Sequence, residues 1–301
     1  MEQKKIEKQS LIISTVVNFI MAVAGIVVFA ITQMQSMFLD GFFSLIAALS
    51  TIMAVIFSRI SKKKNKSYPT GMYFLEPFYA IIKSLLMFAL LIFSIVESGL
   101  SAYDYFKTGV GNTIDFSIIL PYSVLMVIMC FSLSYFNKRQ NKRIKNSSIM
   151  LTAESKSNLV DGVISGGIGL LVLILSFIDI DGKLGFLHYS GDFFITVILV
   201  LIFIKEPIQL FTMSIREISG ATIKDEKIKR LVRSVVLEQL QEEDLNNKFE
   251  VYKTGMHIKV VILLQEKFDA EVLSRLKTDT LKELKEHFDS VTIEYVIRKK
   301  F

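Results

Sequence analysis

One cysteine, no tryptophan, four prolines and three histidines among 301 residues exclude several kinds of chemistry at the outset. Cys130 stands alone, so the chain cannot close a disulfide within itself or build a cysteine-based metal cluster. Any aromatic belt at a membrane surface falls to tyrosine and phenylalanine, since there is no tryptophan. His188, His257 and His287 all lie outside the long apolar runs, so imidazole is not expected as a ligand at membrane depth. No nucleophile–base arrangement is visible, and the glycines of "TGM" and "SGG" read as packing or turn residues, not a phosphate-binding loop. The expectation is therefore not an enzyme, and no cofactor is implied.

Hydrophobic residues are plentiful, at 51% of the chain, and the mean hydropathy is +0.47. They come in blocks. A helix rises ~1.5 Å per residue, so about 20 apolar residues cover ~30 Å of hydrocarbon. Six runs meet that length, at about 11–32, 36–59, 75–101, 116–136, 149–177 and 191–214. The first is too long for a signal-peptide core and follows the charged "MEQKKIEKQS", so no cleavable signal is expected.

The net charge of +6 is placed unevenly. Arg59, Lys62, Lys63, Lys64 and Lys66 lie between runs two and three; Lys138, Arg139, Lys142, Arg143 and Lys145 lie between runs four and five. The opposite connections carry only Lys107 and Lys183. This is the positive-inside asymmetry, and it puts both termini in the cytoplasm of a plasma-membrane protein. The basic clusters suit anionic lipid headgroups, and nucleic acid is not an expected partner.

Residues 215–301 read as a separate domain. "IKDEKIKRLVRSVVLEQL" repeats apolar residues at helical spacing, from Ile228 through Val232 and Val236 to Leu240. "KFEVYKTG" and "MHIKVVILLQ" read as strands turning at Gly255, with Ile258, Val260 and Ile262 on one face. A helix follows, with Asp269 as N-cap and Leu273, Leu276, Leu284 and Phe288 on one side; "SVTIEYVIR" closes as a third strand. "EED" at 242–244 reads as a solvated loop. The expected fold class is an all-α six-helix transmembrane domain, residues 1–214, followed by a small α-β-β-α-β (ferredoxin-like) α+β domain, residues 215–301.

An ionisable group at bilayer depth costs about 2.5–3.5 kcal/mol on insertion scales, so each is a functional hypothesis. Glu76 at the start of run three complements a helix N-terminus; Glu97, Lys205 and Glu206 lie near the run ends; Lys83 suits pairing with a carboxylate. Asp40 and Asp161 differ, because Ser44 follows Asp40 by four, and Ser157 and Ser165 flank Asp161 by four on either side. Residues four apart share a helix face, so each helix presents a carboxylate with hydroxyls. Two such faces make an oxygen-lined cation site or a polar contact gluing helices.

Four stretches resemble the cation diffusion facilitators. "LDGFFSLIAAL" is similar to that family's second-helix D-G-x-H-S-x-x-D, and "YPTGMYFLEPF" to H-P-Y-G-H-G-K-x-E-P. "AESKSNLVDGVISGGIGLL" is similar to A-E-x-x-H-x-x-x-D-x-x-x-S, and "ISGATIKDEKIKRLVR" to the stretch leaving helix six. The resemblance implies a homodimeric metal cation/proton antiporter working by alternating access, held partly by its cytosolic domains. The departures fall on the ligands. The helix-two ligand positions carry Phe43 and Ala47, those of helix five carry Ser157 and Asp161, and the loop histidine position carries Met72. A tetrahedral His–carboxylate Zn²⁺ site is therefore not encoded there. What is left is oxygen: Asp161, Ser157, Asp40, Ser44 and Asn18, a set suited to Mn²⁺, Fe²⁺ or Mg²⁺. A related variant moves protons or a monovalent ion. Two other readings stand beside these: a paralogue that no longer transports and serves as a regulatory or dimerisation partner, and a generic six-span receptor. The cytosolic domain is expected to dimerise, with weak or no metal binding at His257 or His287.

Overall fold

The computed structural model describes residues 2–111, 113–144, 149–240, 249–264, 270–288 and 290–297. Asp269, the acidic 242–244 stretch, Lys145 and the side chains of Leu240, Leu273 and Leu276 lie outside the described residues. The chain divides into two compact units, one of Met1–Met53 with Leu86–Pro207 and one of Ala54–Leu85 with Ile208–Phe301.

The first unit is helical. Helix α1 spans Glu2–Thr32 and α2 spans Gln35–Ile60, joined through Gln33, whose φ of 57° turns the chain within two residues. They are followed by α3 (Leu75–Thr108), α4 (Phe116–Arg143), α5 (Ile149–Ser176), α6 (Leu187–Phe203) and α7 (Lys205–Ile218); the end of α2 from Ala54, the start of α3 as far as Leu85 and α7 from Ile208 belong to the second unit. Met37, Leu39, Met87, Leu91, Ile119 and Val172 are wholly buried in this unit's core. Ile12, Phe19, Leu86, Ile92, Leu125 and Leu170 stay exposed. Apolar side chains on the outside suit a hydrocarbon surround, and the protein is an integral membrane protein.

Among the described residues five helices are long and apolar enough to cross a membrane: Gln9–Thr32, Leu75–Thr108, Phe116–Arg143, Glu154–Ser176 and Leu187–Ile218. Six were expected. The difference is α2, whose described apolar stretch, Gln35–Ser50, is shorter than the others. The last span also differs from one even run. It is interrupted at Ile204, just before "KEP", where Pro207 supplies no backbone donor to the preceding turn.

Helices α1 and α2 cross closely at two glycines. A Cβ built on Gly25 would lie 2.7 Å from the Gly41 Cα and 2.9 Å from the Tyr122 hydroxyl; one on Gly41 would lie 2.8 Å from the Ile26 nitrogen. Only glycine permits that approach. The crossing sets the residue beside Gly41, namely Asp40, against α1 and α4.

The second unit holds α8 (Glu226–Leu240), β1 (Phe249–Thr254), β2 (His257–Leu264), α9 (Ala270–His287) and β3 (Ser290–Ile297). The sheet order is β1-β2-β3, with β1 antiparallel and β3 parallel to β2. A parallel pair needs a crossover, and α9 supplies it. Val251 pairs with Val260, which pairs with Ile293, and all three lie on the buried face. Val232, Val235 and Val236 of α8 and Leu284 of α9 complete that core. Each such side chain contributes roughly 1.5–3 kcal/mol by leaving water. The hairpin turns at Gly255, at φ 58°, the conformation a two-residue Gly-X turn requires.

Candidate functional site

Helices α1, α2, α4 and α5 enclose a cavity of about 30 Å³ in the first unit, room for a water or a single ion. Asn18 of α1, Asp40 and Ser44 of α2, and Ser157 and Asp161 of α5 all line it. The i, i+4 spacing read from the sequence places each carboxylate beside its hydroxyl on the cavity side of its helix. The structure also brings Glu154 and Ser165 to the same walls. Among the described residues the lining holds no lysine, arginine or histidine, and the carboxylates that act on Asp161 electrostatically are Asp40, Glu206 and Glu154.

Asp40 is the most enclosed of the lining carboxylates, 5% exposed. The Tyr122 hydroxyl donates to Asp40 Oδ2 at 2.7 Å, and the Ser165 hydroxyl to Oδ1 at a long 3.5 Å. A bond to an ionised carboxylate is worth about 1.5–3 kcal/mol, so Tyr122 holds one oxygen firmly and leaves the other weakly held. Asp161 is half-buried and Ser157 exposed, so the cavity opens on the α5 side. Asn18 Nδ2 donates to Glu154 Oε2 at 3.4 Å, while Asn18 Oδ1 is buried with no hydrogen-bond partner among the described residues.

The two positions at which the family resemblance places ligands behave differently. Ala47 lines the cavity but has no donor atom. Phe43 is buried with its ring stacked on Phe203 at a centroid distance of 4.5 Å. Among the described residues no three His, Cys, Asp or Glu side chains group closely enough to hold a metal ion. The oxygen atoms that line the cavity belong to carboxylate, amide and hydroxyl groups.

Tyr122 was not foreseen as part of the site, and neither was Asp192. The Asp192 carboxylate accepts from the Gln35 and Ser36 backbone nitrogens at 2.7 and 3.1 Å and from the Ser36 hydroxyl at 2.6 Å. It caps α2 from another helix, one turn before Asp40. His188 needs a correction. It is not in a connection outside the apolar run but in the first turn of α6, because that helix starts at Leu187. It is buried, and its Nε2 lies 2.7 Å from the Ile178 carbonyl oxygen, a bond that holds the α5–α6 connection.

In the second unit the first turn of α3 carries Glu76, which accepts from the Ser61 hydroxyl at 2.9 Å. Glu217 accepts from Lys253 Nζ at 2.8 Å and from the Gly255 nitrogen at 2.9 Å. His257 stacks on Tyr73 at 5.1 Å, and its Nδ1 lies 2.8 Å from the Ser290 hydroxyl. Burial, with Lys259 and Lys64 adding to it, holds this imidazole below its ordinary value of 6.5.

Against known families, the description "Cation efflux transmembrane domain" matches residues 11–219 of the 301. No curated protein matches the chain.

Proposed function

The chain belongs to the cation efflux family, whose members carry cations across membranes and are not enzymes, and on that premise we propose that it exports a small, hard divalent cation in exchange for protons. Mn²⁺, Fe²⁺ and Mg²⁺ fit the oxygen set better than Zn²⁺ does. The observation that carries this reading is the cavity itself: Asp40 and Asp161 face one space with the unpartnered Asn18 Oδ1 beside them. Proton and metal compete for the same carboxylate oxygens, so loading one expels the other. In this reading α2 is the sixth span, residues 1–214 form the membrane domain, and both termini face the cytoplasm. Residues 215–301 dimerise two copies, and the protein resides in the plasma membrane.

A second reading has support in two contacts. Tyr122 bonds to Asp40 and Phe43 stacks on Phe203, both as a purely structural helix packing would have them. On that reading the chain is a non-transporting member acting as a regulatory or dimerisation partner.

Isothermal titration of purified protein in detergent separates the two. Mn²⁺, Mg²⁺ and Zn²⁺ are titrated in two buffers of different ionisation enthalpy. The transport reading expects saturable Mn²⁺ binding with proton release, weakened at least tenfold in Asp161→Ala. Absence of binding by all three ions in folded protein supports the partner reading instead.

A further inference from the structure

Beside the cavity, α1, α4 and α5 bury a second set of polar groups that the cation site does not use. On α1, Asn18 lines the cavity, and Ser14 and Ser10 follow at four-residue steps toward the start of the helix. On α4, Cys130 lines the cavity, and Ser134, Asn137 and Asn141 follow toward the helix end. On α5, Asn158 lies between the cavity-lining Glu154 and Asp161. Helical spacing puts these groups on facing sides of three packed helices.

Their burial is nearly complete: Ser14 is 1% exposed, Asn137 0% and Asn158 1%. Some are fully paired, as glue between helices is. Ser134 donates its hydroxyl to the Ser155 carbonyl at 2.6 Å and the Ser155 hydroxyl returns a bond to the Ser134 carbonyl at 2.9 Å. Asn137 and Asn158 are not. Ser14 Oγ donates to Asn137 Oδ1 at 2.8 Å, which leaves Asn137 Nδ2 with no partner among the described residues. Asn158 Nδ2 donates to the Glu154 carbonyl at 2.8 Å, which leaves Asn158 Oδ1 in the same condition. An idle amide donor and an idle amide acceptor are costly where lipid cannot satisfy them. Water can satisfy each of them, accepting from Asn137 Nδ2 or donating to Asn158 Oδ1.

We propose that Ser14 and Asn137 form an inner, water-binding polar station, through which the cation or its counter-proton passes between the Asp40/Asp161 cavity and the membrane face where α1 starts and α4 ends. The station is built from a neutral amide and a hydroxyl. A neutral site hydrates a passing ion without trapping it, whereas a further carboxylate would hold it. For its cargo the station rests on the transport reading; for its water it does not.

The test therefore has two arms, both on the full chain. The first is independent of transport. In a Cys130→Ser background, Asn137→Cys and Ser14→Cys are exposed, in liposomes, to a small charged methanethiosulfonate reagent, beside the buried apolar control Leu133→Cys. The station predicts that both test positions react at least tenfold faster than the control. Reaction no faster than at Leu133→Cys, in protein that elutes as wild type does, overturns it. The second arm compares Mn²⁺ flux with Mn²⁺ binding. Asn137→Leu removes the amide at similar volume; flux is expected to fall at least tenfold with binding retained, and Asn137→Ser to restore it. Full flux in Asn137→Leu makes the column helix glue only. A wild type that carries no cation, with the cysteines still labelled, defeats the transport reading and leaves the water site standing.

Discussion

The α1–α2 crossing gives the sharpest structural prediction, because both partners at the contact are backbone. In Gly41→Ala the new Cβ would sit 2.8 Å from the Ile26 nitrogen and 2.9 Å from the Gly25 carbonyl carbon. Ordinary contacts of this kind fall at about 3.5–4.0 Å, so α1 must withdraw by roughly 0.7 Å or more. No rotamer can absorb the overlap, and overpacking of this sort costs about 1–3 kcal/mol. Alanine also gains about 0.8–1.0 kcal/mol over glycine from helix propensity, which would mask part of the loss. Gly167→Ala removes that ambiguity: it lies on α5, and a Cβ there meets nothing within 4 Å. The propensity gain is common to both variants, so Gly167→Ala should exceed Gly41→Ala in stability by about 1–3 kcal/mol, roughly 5- to 150-fold in the folding equilibrium. Unfolding in mixed micelles, titrated with dodecyl sulfate and followed by circular dichroism, measures the difference. Equal stability of the two alanines would refute the close crossing, and with it the way Asp40 is brought against α1.

Three further outcomes follow from named contacts. Tyr122→Phe removes the donor to Asp40 Oδ2 and should destabilise the protein by about 1–3 kcal/mol while tightening Mn²⁺ binding, since the freed oxygen becomes a ligand; calorimetry showing neither change counts against that role. His257 is held below 6.5 in the folded chain, so below that pH the unfolded chain binds a proton the folded one resists. Stability must then rise with pH across that window and fall on acidification, so the melting temperature should be lower at pH about 5.5 than at about 7.5, and His257→Asn should flatten the difference. Gly255→Ala places a Cβ 2.7 Å from the Tyr73 carbonyl oxygen and 2.8 Å from Glu76 Oε2, at φ 58°; strain and crowding of about 1–3 kcal/mol should lower the melt by several degrees, and an unchanged melt would contradict the close seating of that turn.

Much of this architecture is written in local pattern. Long apolar runs mark α1, α3, α4 and α5, and strict alternation at Ile258, Val260 and Ile262 marks the buried face of β2. The shared lining of Asp40, Ser44, Ser157 and Asp161 follows from four-residue spacing, which sequence displays directly. What pattern does not carry is the partner across a helix interface. Tyr122 lies 82 positions from Asp40, and Asp192 lies 156 from Ser36; an aromatic in an apolar helix and an acid near a helix start look ordinary until tertiary packing aims them. His188 was misplaced for a simpler reason. "FLHYSG" has no apolar run of its own, so hydropathy began the last span too late, while the helix itself starts at Leu187. The break at Ile204 was missed in turn because its flanks, "LIF" and "KEPIQLF", average to an apolar segment.

The most direct test of the central claim is cation flux in proteoliposomes carrying an internal pH dye, with Mn²⁺ outside and wild type beside Asp161→Ala and Asp40→Ala. An Asp40/Asp161 cation pathway predicts Mn²⁺-dependent proton movement in the wild type, lost at least tenfold in Asp161→Ala and reduced in Asp40→Ala. Flux that survives unchanged in both variants, or no flux for Mn²⁺, Fe²⁺ or Mg²⁺ in folded wild-type protein, would contradict it.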